Sequence, residues 1–595
     1  MITTSLHGNN RLIRKSILRM LPSSFAANLT TSIALMVDTL LAGAMLGQQA
    51  IAAVAIGLPV VGIFQALTQT VISGAGVKLA VHAGRGNQDK MNQTYSLGCV
   101  ATMMLGLLFV LVCQLLANPL TRLFGGAGNA AVAAQAALYL RAVSVCILMG
   151  SLNTFAGKVL ALYGQQKALF RSALIALIGN ILFSVLYMRL LPEHLAIAGL
   201  GLGTWTGGFL ALLSSLLTKR MKKIPLSLRI KDICWKDLPG IIRTGIPTSG
   251  NNLVDGVVSG VVNNIIVMGF GGDTAALSIY TAVKGVYTFG VSAVLSTTTA
   301  AAPLLGILHG ARDKNGILRT VRESLKVGIV AAVVWCGALI ALCPVLARFY
   351  GMQDNPQFFS GVLFCLLFMP LCLLMRVFIQ LFESTEKVGM GLLYSIVPDS
   401  VIYPVMLILL LPILGYHGIW FSYSANAIPF LIILYLVRSA KNKSMKLTMD
   451  RMLCLDESIR DNIPMLDISI SSSNTDVTGI SRQVHEFLAG QEVSARTAYM
   501  TSLCLEELAA DFVAHTLQEG KKDAESVIMD IKLFSDEDRL RVIIRNEADA
   551  YNPLDFALDD TTFAKVGVKL AQKVARRIEY SYVYRLNIVT IDVDK

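Results

Sequence analysis

Apolar stretches long enough to cross a bilayer recur through the first three quarters of the sequence. An α-helix needs about 20 consecutive apolar residues to span the hydrocarbon core of a membrane. About twelve such stretches predict twelve spans, at residues 21–46, 51–80, 94–117, 136–163, 167–190, 194–218, 240–270, 274–306, 324–346, 358–384, 389–413 and 417–437. Charged residues make up only 15% of the chain, against about 25% in soluble proteins. The composition therefore excludes an ordinary soluble protein.

Basic residues mark one side of this expected membrane domain. They cluster in the N-terminus and in every second loop, at 82–90, 163–171, 218–232 and 309–322. The intervening loops are short and nearly neutral. Because cytoplasmic loops collect Lys and Arg, we expect the N-terminus and the C-terminal tail to be cytoplasmic. The net charge of +12 thus fits a membrane protein and predicts no nucleic acid partner.

Two segments of the first half of the chain recur in the second half. ILRMLPSSFAANL, from Ile17, is similar to IIRTGIPTSGNNL, from Ile241, and VHAGRGNQDK, from Val81, is similar to LHGARDKNG, from Leu308. Each half holds six expected spans, so both halves begin on the same side and the repeat is parallel. Such repeats are typical of transporters, which rock two bundles about a midplane site. Chance similarity between apolar segments is the alternative.

Four motifs occur in order along the first half: LP at 21–22, VDTLLAGAMLGQQAIAAVAIGLP at 37–59, GAG at 74–76, and GNILFS at 179–184. With the six-plus-six spans, they resemble the MATE (multidrug and toxin extrusion) family over residues 10–440. The resemblance implies a secondary active antiporter that exports a small organic, often cationic and drug-like, substrate in exchange for H⁺ or Na⁺. It also implies a multi-pass protein of the bacterial inner (plasma) membrane.

The resemblance implies an ion-coupling site in the N-terminal half. The family places an acidic residue in the first span, which matches Asp38, and partner residues that match Asn180 and Thr204. A carboxylate inside a span is costly unless it is paired or neutralised, so it usually faces a cavity. The alternative is an Asp38 that only fixes packing. A second acidic residue of the family pattern is replaced by Ser184, which leaves the choice between H⁺ and Na⁺ open.

The second half carries its own charges within expected spans, namely Asp255, Lys284, Arg376 and Asp399. Deep charges of both signs pair with each other or line a wet cavity. We hypothesise that these four residues line the substrate cavity. Two cations in the cavity weaken the case for a purely cationic substrate and are compatible with an anionic or zwitterionic one. Structural ion pairs between spans are the alternative.

The pattern changes near residue 453, where strand-like and helical runs alternate and predict one α+β domain. Three motifs of this domain resemble the histidine-kinase-type (GHKL) ATPase fold, in the branch of the anti-sigma-factor serine kinases. Glu507 and Asp511 lie four apart, where the family has a Glu and an Asn that serve ATP hydrolysis and Mg²⁺ binding. Asn546 replaces the Asp that binds adenine, and Gly567 belongs to the phosphate-binding turn.

Because two of these three motifs are altered, we expect weak ATP and Mg²⁺ binding, no enzyme activity, and a regulatory role for the tail. An ion gradient would drive transport. Ten scattered cysteines predict no metal site and no disulfide framework. The expected partners are a small-molecule substrate, the lipid bilayer and a candidate cytoplasmic regulatory protein.

The expected fold is an all-α polytopic membrane protein with twelve spans in two parallel six-helix repeats, followed by a cytoplasmic α+β domain. The expected boundaries are 1–217 and 239–440 for the two lobes, 218–238 and 441–452 for linkers, and 453–595 for the tail. One alternative is a lipid-linked precursor flippase of the same superfamily. Another is a membrane receptor with a kinase-like signalling tail. Asp38 in its motif favours the MATE antiporter, and the altered ATP motifs argue against the receptor.

Overall fold

The structure is a computed structural model. It describes residues 11–595 except for 47, 124–129, 230, 232, 271–274, 351, 354, 443–463, 472–478, 519–527, 537, 555–568, 570 and 571. The chain has three parts, which we call the N-lobe (residues 11–221), the C-lobe (residues 238–442) and the sheet domain (residues 465–594).

Six long helices form the N-lobe, and each overlaps one of the first six expected spans, although their boundaries differ. They are α1 (Arg11–Leu46), α2 (Gln48–Gly84), α3 (Gln88–Leu123), α4 (Ala130–Leu162), α5 (Gln166–Leu190) and α6 (Ala198–Met221). Their outer faces carry large apolar side chains, such as Leu111 and Leu115 of α3, which are 56% and 70% exposed. Exposed apolar surface of this size is expected where a protein faces lipid.

The C-lobe has more breaks than the N-lobe. It comprises α7 (Leu238–Gly269), α8 (Ala275–Gly310), α9 (Lys314–Ala341), α10 (Cys343–Phe349), α11 (Pro356–Leu367), α12 (Met369–Ser384), α13 (Val388–Ile396), α14 (Tyr403–Leu414), α15 (Tyr416–Ala425) and α16 (Ala427–Asn442). A π-helical turn, Val397–Ile402, joins α13 to α14. The chain bends by 44° between α11 and α12 and by 49° between α15 and α16.

Eight helices of the described residues are long and apolar enough to cross a membrane, or up to ten if each bent pair is one span. Every expected span overlaps a helix or a helix pair of the two lobes and extends past it by a few residues at most. Helices α1 and α7 have 36 and 32 residues, but some of their side chains lie outside the described part. The count of twelve spans therefore remains a prediction.

The turns after α2 and after α8 share one backbone geometry. Asn87 N–H donates to His82 O at 3.0 Å, and Asp313 N–H donates to Leu308 O at 2.9 Å. In each turn, the residue before the polar one has positive φ, 69° at Gly86 and 57° at Arg312. This shared geometry supports the parallel repeat that the similarity of the two segments predicts.

The two lobes meet backbone to backbone at the ends of α2 and α8. A Cβ atom added to Gly84 would lie 2.0 Å from Ile307 O, and one added to Gly310 would lie 2.1 Å from Val81 O. Only glycine permits such an approach. The lobes are therefore in close contact on the side of the membrane where the turns after α2 and α8 lie.

The sheet domain begins at β1 and lies on this same side. Its elements are β1 (Met465–Ser471), α17 (Ile480–Ala489), α18 (Ala495–Gln518), β2 (Ile528–Ser535), β3 (Arg539–Asn546), β4 (Arg577–Val583) and β5 (Leu586–Asp594). The strands form an antiparallel sheet in the order β1-β2-β3-β5-β4. The mixed helices and strands agree with the α+β expectation.

Both faces of this sheet are covered. Because side chains alternate along a strand, Leu533, Val542 and Val589 face one way and pack with α17 and α18. Their neighbours Phe534 and Ile543 face the other way and belong to the same apolar cluster as the two lobes. The domain is thus packed against the membrane part through one whole face of its sheet.

Candidate functional site

Three of the four charged residues expected in the substrate cavity lie together. Lys284 of α8, Arg376 of α12 and Asp399 line one cavity of about 240 Å³ inside the C-lobe. The side chain of Asp255, in α7, lies outside the described part of the structure. Tyrosines complete the wall, namely Tyr280, Tyr287, Tyr394, Tyr403 and Tyr423. The cavity therefore combines cations, a carboxylate and aromatic rings.

Interrupted helices place the polar groups of this cavity. Asp399 follows Pro398 in the π-helical turn between α13 and α14. Asn426 lies at the bend between α15 and α16, and its Nδ2 donates to Asp399 Oδ1 at 3.0 Å. Both π-turns and broken membrane helices are frequent at functional sites, because they expose backbone groups to a cavity.

Charge and aromatic contacts organise the rest of the cavity wall. Arg376 interacts electrostatically with both Asp399 and Tyr287. Tyr403 Oη donates to Tyr280 Oη at 3.1 Å, and the ring of Tyr423 lies 5.0 Å from that of Tyr287. Aromatic rings suit organic groups and cations, and the Arg376 guanidinium suits a carboxylate. Such a cavity can hold a substrate of mixed charge.

Two of the three expected ion-coupling residues, Asn180 and Thr204, also meet in the N-lobe. Asn180 Oδ1 accepts from Thr204 Oγ1 at 3.2 Å and from Ser184 Oγ at 2.9 Å. Ser184, which stands where the family carries a second acidic residue, is therefore part of this cluster. Asp38 lies in α1, but its side chain is outside the described part. The cluster offers neutral oxygens rather than a second carboxylate.

The altered nucleotide motifs are held by protein groups. Asp511 Oδ2 accepts from Tyr551 Oη at 2.7 Å, and the Tyr551 ring stacks on His515 with centroids 3.8 Å apart. Burial, with a contribution from Asp511, raises the pKa of Tyr551 above its usual range. Tyr551 thus fills the space beside the helix that carries the first motif.

The remaining motif residues differ in their surroundings. Glu507 is exposed. Asn546 is buried, and its Oδ1 accepts from Asn587 Nδ2 at 2.7 Å. Gly567 lies outside the described residues. The structure therefore brings Asp511 and Asn546 into protein hydrogen bonds, and leaves the ATP and Mg²⁺ expectation a prediction.

A buried ion cluster fastens the sheet domain to the C-lobe. Asp313, which caps α9, accepts from Lys532 Nζ and from Arg545 Nη1, both at 2.8 Å. All three residues are less than 4% exposed. Burial would raise the pKa of Asp313, but the charges of Lys532 and Arg545 outweigh it and hold that pKa well below its usual range.

Two further contacts involve the N-lobe. Glu547 Oε1 accepts from Lys15 Nζ of α1 at 2.5 Å. At the tip of the β4–β5 hairpin, Tyr584 N–H donates to Leu162 O of α4 at 2.5 Å, and Tyr584 Oη donates to Ala300 O of α8 at 2.5 Å. Tyr584 therefore touches both lobes at once.

Sequence reasoning missed these docking residues. The loop at 309–322 entered the argument through its basic charge and its similarity to the loop after the second span, and neither property points to Asp313. Glu547 lies in a motif that was compared only with ATPases, and Tyr584 in a run that was predicted only as strand. One usable signal was the position of Lys532 between Ile531 and Leu533 and of Arg545 after Ile543 and Ile544, because buried cations need a partner.

Comparisons with known proteins agree with this fold. Residues 22–186 match the model of the MatE family. The fold resembles a MATE structure in complex with MaD3S, with a TM-score of 0.63, 16% identity, and coverage of 74% of this chain and 99% of that one. The Vibrio cholerae MATE transporter VcmN in the bent form has a TM-score of 0.64 and 17% identity, over 73% of this chain and 98% of that one.

A third structure is an outward-facing multidrug resistance MATE family transporter, with a TM-score of 0.63 and 16% identity, over 73% of this chain and 97% of that one. No curated protein matches the chain at a significant level. The family match covers residues 22–186, and the solved structures share the fold of the two lobes. The resemblance of the sheet domain to GHKL ATPases remains a prediction.

Proposed function

We propose that the protein is a secondary active exporter that moves a small organic substrate out of the cytoplasm in exchange for H⁺ or Na⁺. The observation that carries the proposal is the C-lobe cavity, where a π-helical turn and a helix bend place Asp399 and Asn426 in the wall that Lys284 and Arg376 also line. In transporters, discontinuous helices of this kind hold substrate groups.

Each cluster has its own role in this proposal. Asp38, with Asn180 and Thr204, couples transport to the ion. Lys284, Arg376 and Asp399 bind the substrate, with Asp255 as a further lining residue. Because the described cavity holds two cations and one carboxylate, the substrate is more readily zwitterionic or anionic than purely cationic. We place the protein in the bacterial inner membrane with both termini in the cytoplasm, since the basic loops lie on that side.

The sheet domain regulates this cycle in our proposal. It contacts α1 and α4 of the N-lobe and α8 and the start of α9 in the C-lobe. Alternating access requires the two lobes to separate on this side when the substrate enters. A domain bound to both lobes holds that side closed, so its release is a condition for transport. Its altered motifs bind ATP and Mg²⁺ weakly at most, and the ion gradient is the motor.

Transport by the purified protein in vesicles tests the proposal. Efflux of a cationic dye and of a zwitterionic dye is measured under a pH gradient and then under a Na⁺ gradient, for wild type, Asp38→Asn and Asp399→Asn. We expect gradient-driven efflux with one ion, its loss in Asp38→Asn, and a changed choice of dye in Asp399→Asn. Lys222→Gln, an exposed change far from both clusters, is the control. Efflux that survives Asp38→Asn would refute the coupling role, and no efflux of either dye would refute the exporter.

A further inference from the structure

A strongly basic cavity lies where the N-lobe, the C-lobe and the sheet domain meet. It has a volume of about 590 Å³, and we call it the junction pocket. Its charged lining residues are Arg85, Arg312, Glu386, Lys387, Arg541 and Arg577. No apolar side chain of the described residues lines it.

The three parts of the protein each contribute cations to the junction pocket. Arg85 and Arg312 come from the matching turns of the two lobes, and Lys387 follows α12. Arg541 and Arg577 come from β3 and β4 of the sheet domain. Cations that line one cavity repel one another unless anions lie between them. The docked arrangement therefore gathers positive charge that the separated parts would keep apart.

Protein carboxylates neutralise only some of this charge. Glu386 pairs with Lys78 at 2.8 Å, a cation that is outside the pocket lining. Arg541 donates Nε and Nη2 to Asp592 at 2.7 and 2.9 Å, and Arg577 pairs with Glu579 at 2.6 Å. Arg85 and Arg312, which also line the pocket, form no ion pair with a carboxylate of the described residues.

Arg85 and Arg312 are exposed, and their side chains make no hydrogen bond or ion pair with any described residue. Arginine presents a planar fork of N–H donors that matches phosphate oxygens. The pocket volume is within the range of small-molecule sites. Its polar lining suits phosphate groups and offers no apolar surface to the rest of a ligand.

We propose that the junction pocket binds a phosphate-rich anion, held by Arg85 and Arg312 from the two lobes and by Arg541 and Arg577 from the sheet domain. Since the complete pocket exists only when the domain is docked on both lobes, the anion stabilises the docked state by mass action. The anion is a soluble oligophosphate or the headgroup of an anionic phospholipid. Its effect on export rests on the proposed function, whereas its binding does not.

Calorimetry on the full-length protein in phosphatidylcholine nanodiscs tests the binding. Tripolyphosphate is titrated at constant ionic strength into wild type, into Arg85→Gln/Arg312→Gln, and into the control Arg482→Gln/Arg496→Gln. The control removes two exposed arginines of α17 and α18 that are outside the pocket. We expect one site in wild type and control, and affinity about 100-fold weaker in the pocket variant, since each charge-assisted contact contributes at least about a factor of ten.

A second arm separates the two sources of phosphate. Hydrogen exchange of the β4–β5 hairpin is compared in nanodiscs of phosphatidylcholine alone and with phosphatidylglycerol. Protection by tripolyphosphate in the first lipid identifies a soluble ligand, and protection that needs phosphatidylglycerol identifies a headgroup. In both cases the pocket variant must lose the protection.

Equal binding by the pocket variant and wild type would overturn the proposal, because the charges would then act only as a solvated basic surface. Absence of binding in both arms would overturn it as well. Neither readout uses transport. Absence of efflux with intact anion binding would therefore refute the exporter but not the anion site. Efflux without anion binding would refute the anion site but not the exporter.

Discussion

The turns after α2 and after α8 have the same backbone geometry but differ in the side chain that caps the next helix, which is an amide in one and a carboxylate in the other. Asn87 caps α3 through a bond from Lys90 N at 3.0 Å, and Asp313 caps α9 through a bond from Gly316 N at 2.8 Å. Asn and Asp are equally good N-caps, so the fold of the turn does not require the charge. The charge of Asp313 serves instead to pair with Lys532 and Arg545. The repeat thus sets the shape of both turns, and a single carboxylate decides where the sheet domain is anchored.

A second difference concerns the residues at positive φ in the turns after α2 and α4 of the N-lobe and after α8 and α12 of the C-lobe. The N-lobe has Gly86 and Gly164, and the C-lobe has Arg312 and Glu386 at the matching positions. A Cβ atom on Gly164 would lie 2.5 Å from Arg585 Cγ, so glycine there lets the β4–β5 hairpin sit directly on the backbone. The C-lobe turns instead project charged side chains into the junction pocket. Both lobes therefore contact the domain through charged residues, and the N-lobe also through the close backbone approach that Gly164 allows.

The largest expected effect comes from removing the difference between the two turns. Asp313→Asn gives the C-lobe turn the cap of the N-lobe turn, removes the carboxylate that pairs with Arg545, and leaves Lys532 with Asp467 at 3.3 Å. Removal of one partner from a buried ion pair costs about 3 kcal/mol. We expect faster hydrogen exchange in β2 and β3, measured by mass spectrometry. Asn87→Asp is the matched control and should not weaken docking. Unchanged exchange in Asp313→Asn would mean that the ion cluster does not hold the domain.

Tyr584→Phe should have a smaller effect that is confined to the C-lobe. The hydroxyl contact with Ala300 O is lost, while the backbone contact with Leu162 O remains. One hydrogen bond contributes about 1 kcal/mol. We expect a modest increase in exchange near the end of α8 and no change near the end of α4. Equal changes at both ends would show that the hairpin moves as a whole.

Glu547→Gln tests the N-lobe contact alone. Glu547 is buried, but Lys15 and Arg19 are 40% and 36% exposed, so solvent screens the pair and the loss is about 1 kcal/mol or less. We expect slightly faster exchange in the segment that follows β3. Domain release as complete as in Asp313→Asn would mean that the anchor lies on α1 and not on α9.

Acidification should have the smallest effect. The pKa of Asp313 is depressed in the docked state, so its contribution is present above the ordinary carboxyl pKa and is lost only as the pH falls through the depressed value. Docking should therefore be constant between about pH 8 and pH 5. Hydrogen-exchange rates of β2 at each pH, corrected for the pH dependence of intrinsic amide exchange, measure docking. Release of the domain near pH 6 would point to a different titrating group.

The long helices of the two lobes were predictable because extended apolar runs indicate membrane-spanning helices. The grouping of Lys284, Arg376 and Asp399 followed from the cost of burying charge, and that of Asn180 and Thr204 from the family resemblance. The π-helical turn at Asp399 was not predictable, because Pro398 permits several kinds of helix break. Docking was hidden for another reason. Asp313, Glu547 and Tyr584 act through contacts with residues that are distant in the sequence. Local sequence patterns do not show which distant segments pack together.

The rate of export in Asp313→Asn, measured in vesicles against wild type and Asn87→Asp, tests most directly whether the sheet domain holds the lobes closed. If the domain is a clamp, its release should raise the basal rate several-fold, since the lobes then separate more often on the cytoplasmic side. The control should keep the wild-type rate. A basal rate in Asp313→Asn that is equal to or lower than that of wild type, with the hydrogen exchange showing a released domain, would contradict the clamp.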